Sequence, residues 1–474
     1  METRRVLTPS LTSAIVVAGA AAAAFALLAP SAGAAKVTKR FSAYKVGSLP
    51  GTPAKYNKVF VTKYGPSRHN KVLVLIPGTN GGAGNFSLIG PELARRVPGL
   101  QVWAMDRREQ ALEDTSMMRK AAAGKATAQQ LVDFYLPGTK QQYKPHQPKD
   151  FAFMKNWGMQ MQVEDARVVV RQAAKGGRKV ILGGHSLGAS MAAAYATWDF
   201  GGKGGYRDIK GIVAIDGGLS ATPSPNFDTT EKAQAALDNL DPSKDGPWGN
   251  LLRLPGFAWI TGPFVEIGAF GAHQAPTGPS VLQTYPLISA VPGLQPPGIA
   301  TDNAASLGYA FDYKTSPPNL RLIQVRSGEL AASGDPRGWV DNGITPVQNI
   351  ARGFMSDRNG TNGADWYYPS RLNVDTGGAA GIDPNSPGAK VLGLRITHLA
   401  EVNVPYYAFQ TSLSGGTNGV INGATSFAER SKVPKNGLVL VDRATTTSHL
   451  DPLLAAPAKN DFIKTVVPFL KKIR

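Results

Sequence analysis

Apolar positions along the chain fall into short dense runs separated by stretches of helical spacing. Lys71 to Ile76 is almost continuously apolar and of strand length, and Tyr56 to Tyr64 alternates well enough to be a strand. Three further runs end in a turn or polar residue: Leu100 to Met105 before Asp106, Lys179 to Leu182 before Gly183-Gly184, and Gly211 to Ile215 before Asp216. Such runs suit strands buried on both faces, as in a parallel sheet. Met161 to Ala174 carries apolar residues at helical spacing, with Gly176-Gly177 as a stop signal. Strands alternating with helices predict right-handed crossovers and a doubly wound, mostly parallel α/β sheet.

The alternation breaks after Asp216. Residues 217–400 are rich in Gly, Pro and Asn, and Leu320 to Val325 is their main strand-like run. The pattern resumes with Val404 to Phe409 as a strand, Ala424 to Arg430 as helix, Gly437 to Val441 as strand and Asp461 to Lys472 as a final helix. We therefore expect a core from residues 35–216 and 401–474, with 217–400 inserted as a cap. Residues 36–55 read as a polar lead-in.

The first 34 residues stand apart. Arg4 and Arg5 precede an Ala-rich apolar stretch, and Ala32-Gly33-Ala34 supplies a small-residue cleavage pattern. This predicts a secretory signal peptide, with the Arg pair similar to a twin-arginine signal. The chain has no Cys, so an exported protein would rely on packing rather than disulfides, and Cys nucleophiles and Cys-ligated metals are excluded. The formal net charge of +18 favours anionic surroundings such as an envelope surface. Lys and Arg are scattered without a basic run, which gives no nucleic-acid signature. Asp365, Asp375 and Asp383 lie in loops without ligand spacing, so no metal site is expected.

Gly184-His185-Ser186-Leu187-Gly188 matches G-x-S-x-G. A strand turning sharply into a helix leaves the Ser hydroxyl exposed on a strained backbone, and glycines two positions either side avoid collision. The context fits: strand 179–182 precedes the motif, and the helix former Ala189-Ser190-Met191-Ala192-Ala193-Ala194 follows.

On these residues the chain resembles the α/β-hydrolases, over residues 56–216 and 402–474. The resemblance implies Ser186 as nucleophile. It also implies an oxyanion hole from the amide of Leu187 and one in the loop Pro77-Gly78-Thr79-Asn80-Gly81-Gly82, by position Thr79. Family members often carry His-Gly where this chain has Pro77-Gly78. Six histidines exist, His69, His146, His185, His273, His398 and His449. The resemblance puts the base at His449, between the last strand and last helix, with His398 as rival. The acid stays open. The loop after the strand 404–409 has no carboxylate, which leaves Asp216 after the preceding strand, or Glu329, Asp335 or Asp341 after the run Leu320 to Val325, or no acid at all.

The implied chemistry is acyl transfer from a small-molecule, lipid or polymer ester to water, without a cofactor. Two alternatives share the sequence: an acyltransferase using the same residues, and a retired hydrolase fold acting as a wall- or polymer-binding module.

Overall fold

In a computed structural model of the protein, the structure describes residues 37–240, 247–249, 251–252, 254 and 256–473. The expected signal peptide lies outside these residues. Ten strands are described: β1 (Thr38–Lys45), β2 (Lys58–Gly65), β3 (Lys71–Ile76), β4 (Leu100–Asp106), β5 (Lys179–His185), β6 (Ile212–Ile215), β7 (Glu329–Gly334), β8 (Arg337–Val340), β9 (Tyr406–Gln410) and β10 (Leu438–Asp442). Eight of them form one sheet in the order β1-β2-β4-β3-β5-β6-β9-β10, and β7-β8 is a separate hairpin. β2 pairs antiparallel with both neighbours, and every other pairing in the large sheet is parallel.

The strand pleat explains the apolar runs. In β3, Leu73 and Leu75 enter the core on one face, while Val72, Val74 and Ile76 enter the core on the other. β5 and β6 divide in the same way, Ile181, Val213 and Ile215 against Val180, Leu182, Ile212 and Ala214. A sheet covered by helices on both sides needs apolar residues at consecutive positions, which is why these strands read as continuous runs.

The chain leaves the sheet at Ile215 and rejoins it at Tyr406. Between them lie seven α-helices among the described residues, the longest being Thr261–Gln274, two 3-10 helices and the β7-β8 hairpin. Phe264, Ile267 and Phe270 of that helix belong to the same apolar cluster as Leu73 and Leu75.

Two expectations need correction. Leu320 to Val325 is not a strand: Pro318–Ile323 is a 3-10 helix, kinked at Leu320. Pro317 and Pro318 fix the backbone at its start, and a proline that lacks an N–H cannot donate to a strand ladder. Residues 36–55 are not merely a lead-in, because Thr38–Lys45 is an edge strand paired along its whole length with β2. Among the described residues no helix is long and apolar enough to cross a membrane.

Candidate active site

The end of β5 turns directly into the helix Leu187–Thr197, with Ser186 between them at φ 54° and ψ −122°. A non-glycine residue there is strained, and such strain persists only where the surroundings hold it. Several contacts do so. The Ser186 N–H donates to the Ile215 carbonyl at 2.8 Å, and the Ser186 carbonyl accepts from Ala189. A Cβ on Gly188 would collide with the Ile76 carbonyl, one on Gly184 with Gly188, and one on Gly217 with the Ser186 carbonyl. The helix behind is buried at every residue and mostly small, which lets it sit close to the sheet.

His449 and Ser186 line the same cavity. The His449 ring is buried, and its Nδ1 lies 2.5 Å from Asp216 Oδ2. Asp216 follows β6 and itself has a positive φ of 47°. Its N–H donates to the Phe409 carbonyl of β9 at 2.7 Å. The Thr411 N–H then donates to Asp216 Oδ1 at 2.7 Å, and the Thr411 hydroxyl donates to Oδ2. Burial alone would raise the Asp216 pKa, but the hydrogen bond and charge of His449 and the two Thr411 donors outweigh it and lower it. The carboxylate thus stays ionised beside the imidazole.

Two further groups fix the His449 loop. Asp451 accepts from the Ser448 and Arg326 amides and the Thr345 hydroxyl, at 2.7, 2.9 and 2.6 Å. His185 packs its ring 4.3 Å from that of His449, centroid to centroid, and its Nε2 donates to the His449 carbonyl at 2.9 Å. Burial, and then the neighbouring His449, push the His185 pKa down to about 3, so this ring is neutral.

The loop after β3 is fastened from behind. Arg107, buried, donates through Nη2 to the Pro77 and Gly78 carbonyls, both at 2.6 Å, and through Nη1 to the Gly81 carbonyl at 3.1 Å. Asp365 receives Nη1 at 3.2 Å, and Glu109 lies 3.8 Å from Nε. With three carbonyls turned toward Arg107, the loop is held in one conformation beside Ser186. Thr79 and Leu187, the two expected amide donors, flank Ser186 in a shared cleft.

Behind this loop sits a group of buried acids. Glu266 accepts from Trp366 Nε1 at 2.6 Å, from Asn362 Nδ2 at 2.9 Å and from the Ser356 hydroxyl. Burial nonetheless pushes its pKa up to about 7. Burial, together with the charge of Asp365, drives Glu109 and Glu113 well above the ordinary carboxylate range. Glu109 and Glu113 thus hold protons near neutrality, beside the charged Asp365 that pairs with Arg107. Among the described residues no cluster of His, Asp and Glu is placed to hold a metal ion.

The other candidates lie apart from His449. Glu329 is exposed at the start of β7 and accepts from Asn342 at 2.8 Å. Asp335 is exposed at the hairpin turn. Asp341 accepts the Val347 N–H at 2.8 Å. Once Leu320 to Val325 is not a strand of the sheet, the reason for seeking an acid after it disappears. His398 bonds Glu401 at 3.1 Å and His146 bonds the Leu112 carbonyl at 3.0 Å. Arg107, Asp451 and Thr411 were not anticipated. In the sequence His449 stands in Ser448-His449-Leu450-Asp451-Pro452, and nothing in that run marks Asp451 as the loop's anchor.

The cavity in front of Ser186 and His449 is walled by the 217–400 segment. Leu251, Phe264, Val265, Leu282, Leu307, Ala310, Phe311 and Ile323 contribute, with Phe354. The walls are chiefly aliphatic and aromatic.

Residues 71–246 match the family model described as alpha/beta hydrolase fold. No curated protein matches the chain. Similar solved structures include a provisionally named lipase from Sulfolobus solfataricus, 15% identical over 92% of this chain and 95% of that one, with a TM-score of 0.46. The thioesterase domain from the curacin biosynthetic pathway is 13% identical over 92% and 99%, with a TM-score of 0.40. The epoxide hydrolase VrEH1 from Vigna radiata is 13% identical over 92% and 98%, with a TM-score of 0.39. None of these likenesses bears on substrate. With the family model matched over residues 71–246, the eight-stranded mostly parallel sheet and the strand-to-helix turn at Ser186, the chain has the α/β-hydrolase fold.

Proposed function

We propose that this hydrolase is a serine esterase of the lipase or carboxylesterase class, acting on esters of apolar acids. The observation that carries the reading is one juxtaposition: Ser186 and His449 front a single apolar cavity, and His449 is paired through Nδ1 with buried Asp216.

The steps follow from the donors present. His449 Nε2 takes the Ser186 hydroxyl proton as Oγ attacks the ester carbonyl carbon. The carbonyl oxygen becomes an oxyanion and rests on the Leu187 and Thr79 amides, held ready by the Arg107-bound loop. Collapse breaks the bond to the alcohol oxygen, which takes the proton from His449 Nε2. Water then gives a proton to His449 as its oxygen attacks the acyl carbon; collapse breaks the bond to Ser186 Oγ, which takes that proton back from His449 Nε2, and the acid leaves. Throughout, the Nδ1–H of His449 donates to Asp216, which orients the ring and stabilises the imidazolium. No cofactor enters these steps. We further propose that residues 217–400 act as a cap over the sheet, and that the protein is exported, on the strength of its first 34 residues.

A fluorophosphonate probe tests the reading. The expected result is one adduct on Ser186 of the folded protein, absent after heat denaturation and in His449→Ala. Folded protein that neither labels nor hydrolyses p-nitrophenyl butyrate would overturn it and leave a binding module as the better account. Acyl transfer is a second reading, favoured by the separate cleft beside Ser186 that could hold an acceptor alcohol. Diversion of the acyl group to added glycerol at the expense of free acid would support it.

A further inference from the structure

Ser186 opens on two sides of different chemistry. One side is the apolar cavity. The other is a more open cleft, also reached by Thr79 and Leu187, whose wall is built from Ser190, Ser220, Asn373, Thr376, Ser414 and Thr417. Resting on the ester-hydrolase reading, we propose that the cleft receives the alcohol half of the substrate, and that this alcohol is an uncharged, hydroxyl-rich group such as a sugar or polyol.

The hydrogen-bond inventory points to that class. Ser190 donates its hydroxyl proton to the Gly218 carbonyl at 2.7 Å, Thr376 to Leu372 at 2.7 Å and Thr417 to Ser414 at 2.6 Å. Each oxygen keeps lone pairs, so these groups accept from a ligand. Asn373 Oδ1 accepts from the Tyr368 hydroxyl at 2.7 Å, which leaves its NH₂ to donate. A row of acceptors with one amide donor matches a ligand carrying several hydroxyls. Leu413 and Val420 add aliphatic contact, suited to the C–H faces of such a ligand.

Charge argues the same way. No Lys, Arg or Glu lines the cleft among the described residues, and its one acid, Asp216, is engaged by His449 and Thr411. A phosphate head would meet no cation, and a quaternary ammonium would meet no free anion or aromatic cage. The division of roles follows from the order of events. The alcohol leaves first, so it belongs on the open side. The acyl group stays attached until water arrives, and its chain belongs in the apolar cavity.

The test compares decanoate esters differing only in the alcohol: 6-O-decanoylglucose, hexyl decanoate and decanoylcholine, with p-nitrophenyl decanoate as reference. We expect kcat/KM for the glucose ester to exceed both others by about 10-fold or more, since a site built to hydrogen-bond hydroxyls rejects alcohols that lack them. Asn373→Leu should lower the ratio of glucose ester to hexyl ester by about 5-fold, the scale of one neutral hydrogen bond. Should that variant fail to fold, Thr417→Val at an exposed position should move the ratio the same way. Equal or reversed preference, with p-nitrophenyl decanoate still hydrolysed, would overturn the polyol assignment alone. Failure of folded protein on all four esters would overturn the esterase reading and the assignment with it.

Discussion

Thr411 and Asp216 meet across two neighbouring strand ends, and the threonine gives the carboxylate both its N–H and its hydroxyl proton. The loop after β9 has no acid of its own, and Asp216 reaches into it from β6, tied there by its N–H to the Phe409 carbonyl. Oδ2 is thereby shared between the Thr411 hydroxyl and His449 Nδ1.

Asp216→Asn should keep the shape and remove the charge. The amide cannot serve both the Thr411 donors and the His449 Nδ1–H as the carboxylate does. We expect kcat to fall by about 10⁴-fold, the scale seen when a serine hydrolase loses this charge. Thr411→Val removes one donor and should cost about 10-fold or less. Because the hydrogen bond and charge of His449 and the two Thr411 donors outweigh burial and lower the Asp216 pKa, its ionised form stabilises the fold above its ordinary value of 3.8, and that contribution is lost as pH falls through the lower folded value. Acid unfolding of Thr411→Val should therefore begin at higher pH than in the parent. Unchanged kcat in Asp216→Asn would remove Asp216 from the mechanism.

How far the sequence carries the site depends on what each residue bonds. The buried parallel strands were legible because both of their faces enter a core, and the turn at Ser186 because steric need for Gly184 and Gly188 writes itself into the chain. β1 was not, because an edge strand with Lys39, Arg40 and Lys45 is held by backbone pairing to β2 rather than by buried side chains. The helix Thr261–Gln274 was masked by Gly262, Pro263, Gly268 and Gly271 and has no polar face to set a period. Asp216 is the sequence's first choice of acid, with Glu329 and Asp335 as alternatives, and what sets it apart from them is that β6 and β9 lie side by side. Arg107 binds carbonyls, which leave no signature in side-chain identity.

Arg107→Lys tests the loop behind the oxyanion site. The guanidinium serves four oxygens from two nitrogens, and an ammonium with three donors on a different geometry cannot. Charge toward Asp365 is retained, so the fold should survive, whereas Arg107→Met would leave buried acids without a cation, at about 3–5 kcal/mol. For Arg107→Lys we expect kcat to drop about 10- to 100-fold with a smaller change in KM, because a misplaced amide weakens the transition state more than the ground state. A rise in KM with kcat intact would place Arg107 in stability or binding instead.

Glu266 should make stability fall as pH rises. Burial raises its pKa from the ordinary 4.5 to about 7, so between those values the folded chain holds a proton that the unfolded chain releases. Stability is then full below 4.5, declines to about pH 7 and levels off, with a span of about 3 kcal/mol from this group. Glu109, Glu113 and Asp365 are shifted in the same direction and add to the slope. Glu266→Gln keeps one oxygen for Asn362 and Trp366 and puts a donor toward Ser356. Urea unfolding at pH 4.5, 6 and 8 should show a shallower decline in this variant. Identical slopes in the two proteins would mean Glu266 is already ionised in the fold.

Ala310→Phe should shorten the acyl chain the enzyme prefers. Ala310 lies on the helix Asn303–Phe311 and lines the apolar cavity, so a phenyl ring there occupies space that a chain would fill. Each methylene kept from burial forfeits about 0.8 kcal/mol, so excluding two of them lowers kcat/KM about 15-fold. The ratio of p-nitrophenyl decanoate to butyrate turnover should fall by that order. The rate of Ser186 labelling by a small methyl phosphonate reports separately on the catalytic groups. A parallel loss of labelling and of both esters would point to a disturbed fold. An unchanged ratio of the two esters, with labelling intact, would mean that acyl chains do not enter this cavity, and the aliphatic wall built by the 217–400 segment would then have to hold the alcohol.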